Sequence, residues 1–179
     1  MSDAQDSTSS PYVNPHQGDA WASDAAAQGK TGTQRLLAVE HGPPPPDVQQ
    51  ALELGPGEQV VVRRRLILAD DQPVELAESY YPASIAVGTP LAEHKKIKGG
   101  AVRVLVDAGH PLEDITDTIT ARLPDAEEEL LLDVAAEEPL IVISRVSCPQ
   151  GQPPAEYAVN RMVASRIPPL QYRMRNTAQ

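Results

Sequence analysis

Apolar positions along the chain fall into two successions of blocks that run in the same order. The first opens with "QRLLAVEH" at 34–41, which reads as a strand. "GPPPP" ends it, because proline lacks the ladder donor. Asp47 then starts a short helix over "DVQQALEL", closed by "GPG" at 55–57. Strand-like runs at 60–69 and 74–81, separated by "DDQP", predict a hairpin. The second succession opens with "DITDTITARL". Ile115, Asp117, Ile119, Ala121 and Leu123 alternate there with Thr116, Thr118, Thr120 and Arg122, which is a strand period. "DAEEELLLDV" predicts a helix with acids in its first turn, where the helix dipole favours them. "PLIVISRVSCPQGQPPAEYAVNRMV" predicts a second hairpin. Between the two lies a mixed stretch at 83–98, whose Lys95, Lys96 and Lys98 read as a solvated loop, and then "GGAVRVLVDAG". That segment fits a helix from Gly100 to Ala108, stopped by Gly109.

The two successions align at an offset of 80 residues without a gap. Glu58 falls on Glu138, Val62 on Val142, Arg65 on Arg145, Gln72 on Gln152 and Pro73 on Pro153. This is an internal duplication of a strand–helix–strand–strand unit. Two units predict an α+β fold: a mostly antiparallel sheet of about six strands, with helices packed on it. A pseudo-twofold between the halves brings Arg65 and Arg145 to a shared crevice, the kind of place where small ligands bind.

Composition narrows the function. The 179 residues carry a net charge of −10, which suits one domain with tails. Residues 1–30 read as a flexible tail or linker, with Tyr12, Val13 and Trp21 as its sizeable apolar groups and one short helix in "DAWASDAAAQ". The folded body is expected over 31–170, followed by a C-terminal tail at 171–179. Aromatic content is 3% with no Phe, so the core must be Leu, Val, Ile and Ala. The lone Cys148 excludes an internal disulfide and fits a reducing cytoplasm; with no base beside it, it is expected to be inert. No apolar run approaches membrane-spanning length, and "MSDAQDSTSS" lacks a signal-peptide pattern. No membrane partner is expected. The acidic balance argues against DNA binding by this chain alone. His16, His41, His94 and His110 have no ligand spacing, so no metal is expected. Without a phosphate-binding glycine loop or a nucleophile triad, neither a cofactor nor a catalytic residue is expected.

The remaining chemistry is in "VVVRRRLILADDQPVELAESYYP" at 60–82. In a strand, Arg63, Arg65 and Ile67 share one side, and Arg64, Leu66 and Leu68 the other. A two-residue loop sets Arg65 opposite Glu78; one more loop residue sets it opposite Ala77, with Glu75 beside it. Periodicity leaves both open. Arg63 and Arg64 are expected as rim or surface charges with carboxylate partners. Arg65, which recurs as Arg145, is expected to point into the crevice, held by Glu75 and Glu156. Gly100 and Ala101 begin the central helix, where free backbone N–H groups can meet an anion or a carbonyl oxygen. His110, just past that helix, is expected to border the same crevice.

That hairpin, followed by "KIKGGAVRVLVDAGH" and "GQPPAEYAVNRMVASR", resembles the effector-binding (UTRA) domain of GntR-family regulators of the HutC subfamily, in its actinobacterial form. The likeness runs over about 31–170. It implies a chorismate-lyase-like fold, a homodimer and a pocket for a small-molecule effector. It places an effector arginine at Arg65 and a late glutamate at Glu156. It departs at Ile67, where a second arginine is common, at Ala77, where a glutamate is common, and at Gly100, where a serine is common. Glu75 is two residues from Ala77 on the same face. These departures imply an effector less anionic than a sugar phosphate. Family members carry a winged helix-turn-helix ahead of this domain; here only linker-like residues precede it, as expected of a sensor cut from a longer regulator or of a stand-alone sensor. The competing readings are a lyase-like enzyme of the related fold, which would need a poised acid near the arginine, and a binding partner that titrates a full-length regulator.

Overall fold

The computed structural model describes residues 6–7, 10–14 and 20–173. Short strand β1 (Asp6–Ser7) comes first and a 3-10 turn spans Ser10–Val13. Helix α1 (Ala20–Ala27) is followed by β2 (Gly32–Gly42), α2 (Pro46–Ala51), β3 (Val60–Ala69) and β4 (Gln72–Pro82). A connecting segment holds α3 (Ala83–Ala86), a 3-10 turn (Pro90–Ala92) and α4 (Gly100–Asp107). The second unit is β5 (Leu112–Arg122), α5 (Ala126–Leu132), β6 (Leu140–Pro149) and β7 (Glu156–Val163), and β8 (Tyr172–Arg173) pairs with β1.

The six long strands form one antiparallel sheet in the order β2-β3-β4-β7-β6-β5. Each unit contributes three neighbouring strands, and β4 meets β7 at the centre, so the expected duplication appears as a pseudo-twofold along that seam. The even-numbered side of β3 is packed conventionally. Leu66, Leu68 and Leu76 join Val142, Val159 and Leu132 in one cluster, and Val48 of α2 and Leu52 at its C-terminal cap pack on Val60. α5 starts with a capping box, in which Asp125 accepts from the Glu128 N–H and Glu128 accepts from the Asp125 N–H. Across this same side runs a charged chain. Buried Glu78 accepts from Arg64 at 2.7 Å, Arg161 at 3.0 Å and the Tyr80 hydroxyl at 3.1 Å.

The other side is covered by α1, α3 and α4. Trp21 lies over Ile67, Ala69, Val74 and Ala77 and donates Nε1–H to the Leu68 carbonyl at 2.9 Å. A Cβ at Gly32 would sit 2.9 Å from the Trp21 ring, so only glycine lets α1 dock this closely. The segment read as a tail therefore contributes a packed helix.

One expectation needs correction here. Arg63 is not a rim charge. It is 4% exposed and donates to the main-chain carbonyls of Leu91 and Glu93 at 2.8 Å and Lys95 at 2.7 Å. A guanidinium can be buried when its donors are matched in this way, and these bonds hold the loop that leads to α4. The hairpin register is also settled, by a route that loop counting did not include. Asp70 and Asp71 form a two-residue turn with φ of 48° and 64°, as the strand twist favours. A bulge then shifts the register, so that Leu68 faces Pro73 but Ile67 faces Glu75. Arg65 consequently pairs across from Ala77, and Glu78 belongs to the opposite side.

Arg63→Ala should therefore lower stability by about 2–4 kcal/mol, because it strands several buried carbonyls. Urea denaturation followed by circular dichroism measures it; a loss below about 1 kcal/mol would contradict the buried-clasp role.

Candidate functional site

The side of the sheet under α1 and α4 carries a cavity of about 390 Å³, within the range of small-molecule sites. Its floor is set by strand parity. β3 supplies Arg65 and Ile67, β4 supplies Glu75, Ala77, Ser79 and Tyr81, β7 supplies Glu156, Ala158 and Asn160, and β6 supplies Arg145. Ala77 and Ala158 lie at the centre and leave open the space that larger side chains would fill. The roof is Gly99, Gly100 and Ala101 at the start of α4, with Lys96 and Lys98 of the preceding loop and Trp21 and Tyr12 from the N-terminal segment. Gly99 and Gly100 have φ of 85° and 82°. A side chain at Gly100 would be strained in that conformation.

The floor charges are satisfied unequally. Arg145 is 6% exposed and donates twice to Asp117, Nε–H and Nη2–H each at 2.7 Å from a carboxylate oxygen. Glu156 accepts from the Tyr81 hydroxyl at 2.8 Å. Burial, reinforced by that carboxylate, raises the Tyr81 pKa well above its ordinary value, so the phenol stays a donor. Arg65 donates from Nη2 to Ser79 Oγ at 3.3 Å, and its buried Nε has no partner among the described residues. Glu75 is desolvated; burial raises its pKa to about 7, against the pull of Arg65 and Arg145.

Six of the residues singled out from sequence thus meet at one cavity: Arg65, Glu75, Gly100, Ala101, Arg145 and Glu156. His110 does not line it; its Nδ1 lies 3.0 Å from Gln152 Oε1 near the second hairpin. The expected clasp of Arg65 by Glu75 and Glu156 is absent among the described residues, since Glu156 is taken by Tyr81 and Glu75 stands apart. The lysine stretch is more than a solvated loop, because Lys96 and Lys98 reach the cavity rim and the Lys95 carbonyl anchors Arg63. Sequence reasoning missed Asp117, although a carboxylate between Ile115 and Ile119 on an otherwise apolar edge was a visible signal. Tyr81 and Asn160 gave no comparable sign, whereas Trp21 stood out as a sizeable apolar group in its segment. Among the described residues no cluster of His, Cys, Asp or Glu is placed to hold a metal, and no helix is long and apolar enough to cross a membrane.

The structure is thus an α+β domain, one antiparallel sheet of two duplicated units with a cavity over their seam. The chain belongs to the UTRA domain family, whose family model matches residues 27–168. An HTH-type transcriptional regulator of Streptomyces coelicolor is 32% identical over 123 residues, 67% of this chain and 46% of its own length. HTH-type transcriptional regulator GgaR of Escherichia coli K12 is 27% identical over 122 residues, 65% of this chain and 45% of its own. The chain spans about half the length of the curated relatives it matches. The effector domain of PhnF from Mycobacterium smegmatis superposes with a TM-score of 0.71 at 26% identity, covering 80% of this chain and 88% of that one. The C-terminal domain of the histidine utilization repressor from Pseudomonas syringae shares the fold, with a TM-score of 0.68 at 21% identity over 82% of this chain and 99% of that one.

Glu75 links this cavity to pH. Its carboxyl titrates near 7 when folded and near 4.3 when unfolded, so between these values the folded chain binds more protons. Stability from this group is present at low pH and is lost as pH rises through about 7. Between pH ~5 and ~8 wild type should lose about 1–3 kcal/mol that Glu75→Gln does not lose. Urea midpoints of both proteins at the two pH values test this; parallel slopes would show that Glu75 is not held protonated.

Proposed function

We propose that this chain is the ligand-sensing module of a GntR/HutC-type transcriptional regulator. A small-molecule effector binds in the cavity over the β4–β7 seam and controls DNA binding by a homodimer. Its contacts are Arg65, Glu75, Gly100, Ala101, Arg145 and Glu156. The observation that carries this reading is Arg65, a guanidinium on the cavity floor with a buried Nε that no described residue satisfies. A ligand shifts a regulator only by preferring one of its arrangements, and this cavity touches elements of both units and the N-terminal segment. An arrangement of those parts can therefore be favoured by what fills it.

Several further properties belong to the proposal. DNA contact is made by a winged helix-turn-helix elsewhere in the regulator; these residues carry a net charge of −10, which repels phosphate. The protein works in the cytoplasm, pairs through this domain and catalyses nothing. Ile119 on outer strand β5 and Leu123 just past its end, 56% and 58% exposed, are apolar positions that an edge leaves in need of cover. The enzyme alternative called for a poised acid near an arginine, and Glu75 answers to that description, so incubation with chorismate is the discriminating assay. Pyruvate release that disappears in Glu75→Gln would overturn the non-catalytic reading.

The direct test is a small-metabolite screen by thermal shift, followed by calorimetry on variants. Arg65→Ala should weaken effector binding by about 1.5–3 kcal/mol, roughly 10- to 150-fold. Arg64→Ala, on the opposite side of the sheet, should change it by less than about 1 kcal/mol. Equal effects would remove Arg65 from the site. Light scattering should give twice the 19.2 kDa chain mass; a monomer mass at all concentrations would sink the dimer.

A further inference from the structure

The pseudo-twofold matches the floor residues in pairs, and the two halves differ in a way that selects a ligand. Arg65, across from Ala77, corresponds to Arg145, across from Ala158. Glu75, across from Ile67, corresponds to Glu156, across from Ser147. In the second unit both charges are answered by other protein groups. Asp117 faces Arg145 from β5 and takes its two donors, and the Tyr81 hydroxyl donates to Glu156. In the first unit the corresponding neighbours cannot do this. Leu36 faces Arg65 from β2, and Met162 faces Glu75 from β7. Among the described residues Arg65 makes only its 3.3 Å bond to Ser79 and leaves Nε unpartnered, while no hydrogen bond or ion pair reaches Glu75.

From this asymmetry, and resting on the proposal that the cavity takes an effector, we infer that the effector is a small zwitterion. Its carboxylate engages Arg65, its ammonium or amidinium group engages Glu75, and its short apolar body lies on Ala77 and Ile67. The spacing suits that class. Arg65 and Glu75 occupy diagonal positions across the β3–β4 pair, roughly 7–8 Å apart at the backbone, so a short ligand can bridge two heads that do not meet. The charge balance of the floor agrees. Arg145 is neutralised by Asp117, leaving Arg65 against Glu75 and Glu156, with Lys96 and Lys98 at the rim. A dianion would place its second charge beside the two glutamates. A simple cation would leave the Arg65 donors unmet, and an unmet buried donor is costly. The raised pKa of Glu75 supports the same reading, since a desolvated carboxylate gains most from an incoming cation.

The test is calorimetry on the whole chain at pH ~8, where Glu75 is ionised. The probes are the common L-α-amino acids and the linear ω-amino acids from glycine to aminohexanoate, each compared with its matched monocarboxylate and monoamine. Glucose 6-phosphate forms a parallel arm. At least one zwitterion should bind tenfold or more tighter than both of its mono-ionic analogues. Glu75→Gln and Arg65→Lys should each remove tenfold or more, while Glu113→Gln on the outer strand changes nothing; circular dichroism confirms that each variant is folded. Failure of every zwitterion to bind, or binding indifferent to Glu75→Gln, overturns the inference. If glucose 6-phosphate or a monocarboxylate binds through Arg65 without Glu75, the sensing function stands and the zwitterion falls. If no probe binds in either arm, and Arg65→Ala alters no response in a metabolite screen, both fall.

Discussion

Six cross-strand pairs join Glu75–Tyr80 of β4 to Tyr157–Met162 of β7, and the arrangement of the molecule follows from that seam. Each unit alone is a three-stranded sheet with one helix, too small to enclose a core and a cavity together. Pairing β4 with β7 makes one sheet of six and sets the two alanines, Ala77 and Ala158, near the axis. Short side chains at the centre of a sheet leave a hollow, which helices on that side can roof but cannot fill. The longer polar groups beside them, Arg65, Glu75, Arg145 and Glu156, then become its walls.

Three consecutive arginines serve three separate purposes because strand alternation and position divide them. Arg64 points to the side packed by α2 and α5 and meets Glu78 and Glu127. Arg63 and Arg65 share the cavity side, yet Arg63 lies under the Pro90–Ala92 turn and is consumed by carbonyls, whereas Arg65 lies under open space. The first fixes the roof of the cavity, and the second is left for what enters it. Their different fates come from what the connecting segment places above each, at a separation of only two residues.

Much of this was legible in the sequence. The 80-residue offset located the duplicated strands and helices, because repeated hydrophobic periods and turn residues are local signals. The side of the sheet on which Arg65 and Arg145 lie followed from parity. The rest depends on tertiary contacts. A bulge at Val74 fixed the hairpin register, and no residue pattern announces it. The second hairpin has one residue more before its return strand, so a fixed offset set Glu75 against Ala155 and concealed its match to Glu156. Arg63 looked like a surface charge because its partners are backbone carbonyls, which any sequence provides. His110 was placed by nearness along the chain to α4, but the chain turns away from the cavity there. The short helix carrying Trp21 was legible, but its docking was not: in a segment whose composition reads as linker, a single indole with a matching glycine, Gly32, was enough to dock it.

The central claim is that small molecules bind over the β4–β7 seam, on the side under α4. Backbone amide chemical-shift mapping with a ligand drawn from a metabolite screen tests it most directly. The largest perturbations should cluster at Ala77, Ala158, Gly100 and Ala101, with little change on the opposite side around Val48 and Leu132. A pattern centred on α2 and α5, or spread without a centre, would contradict the account.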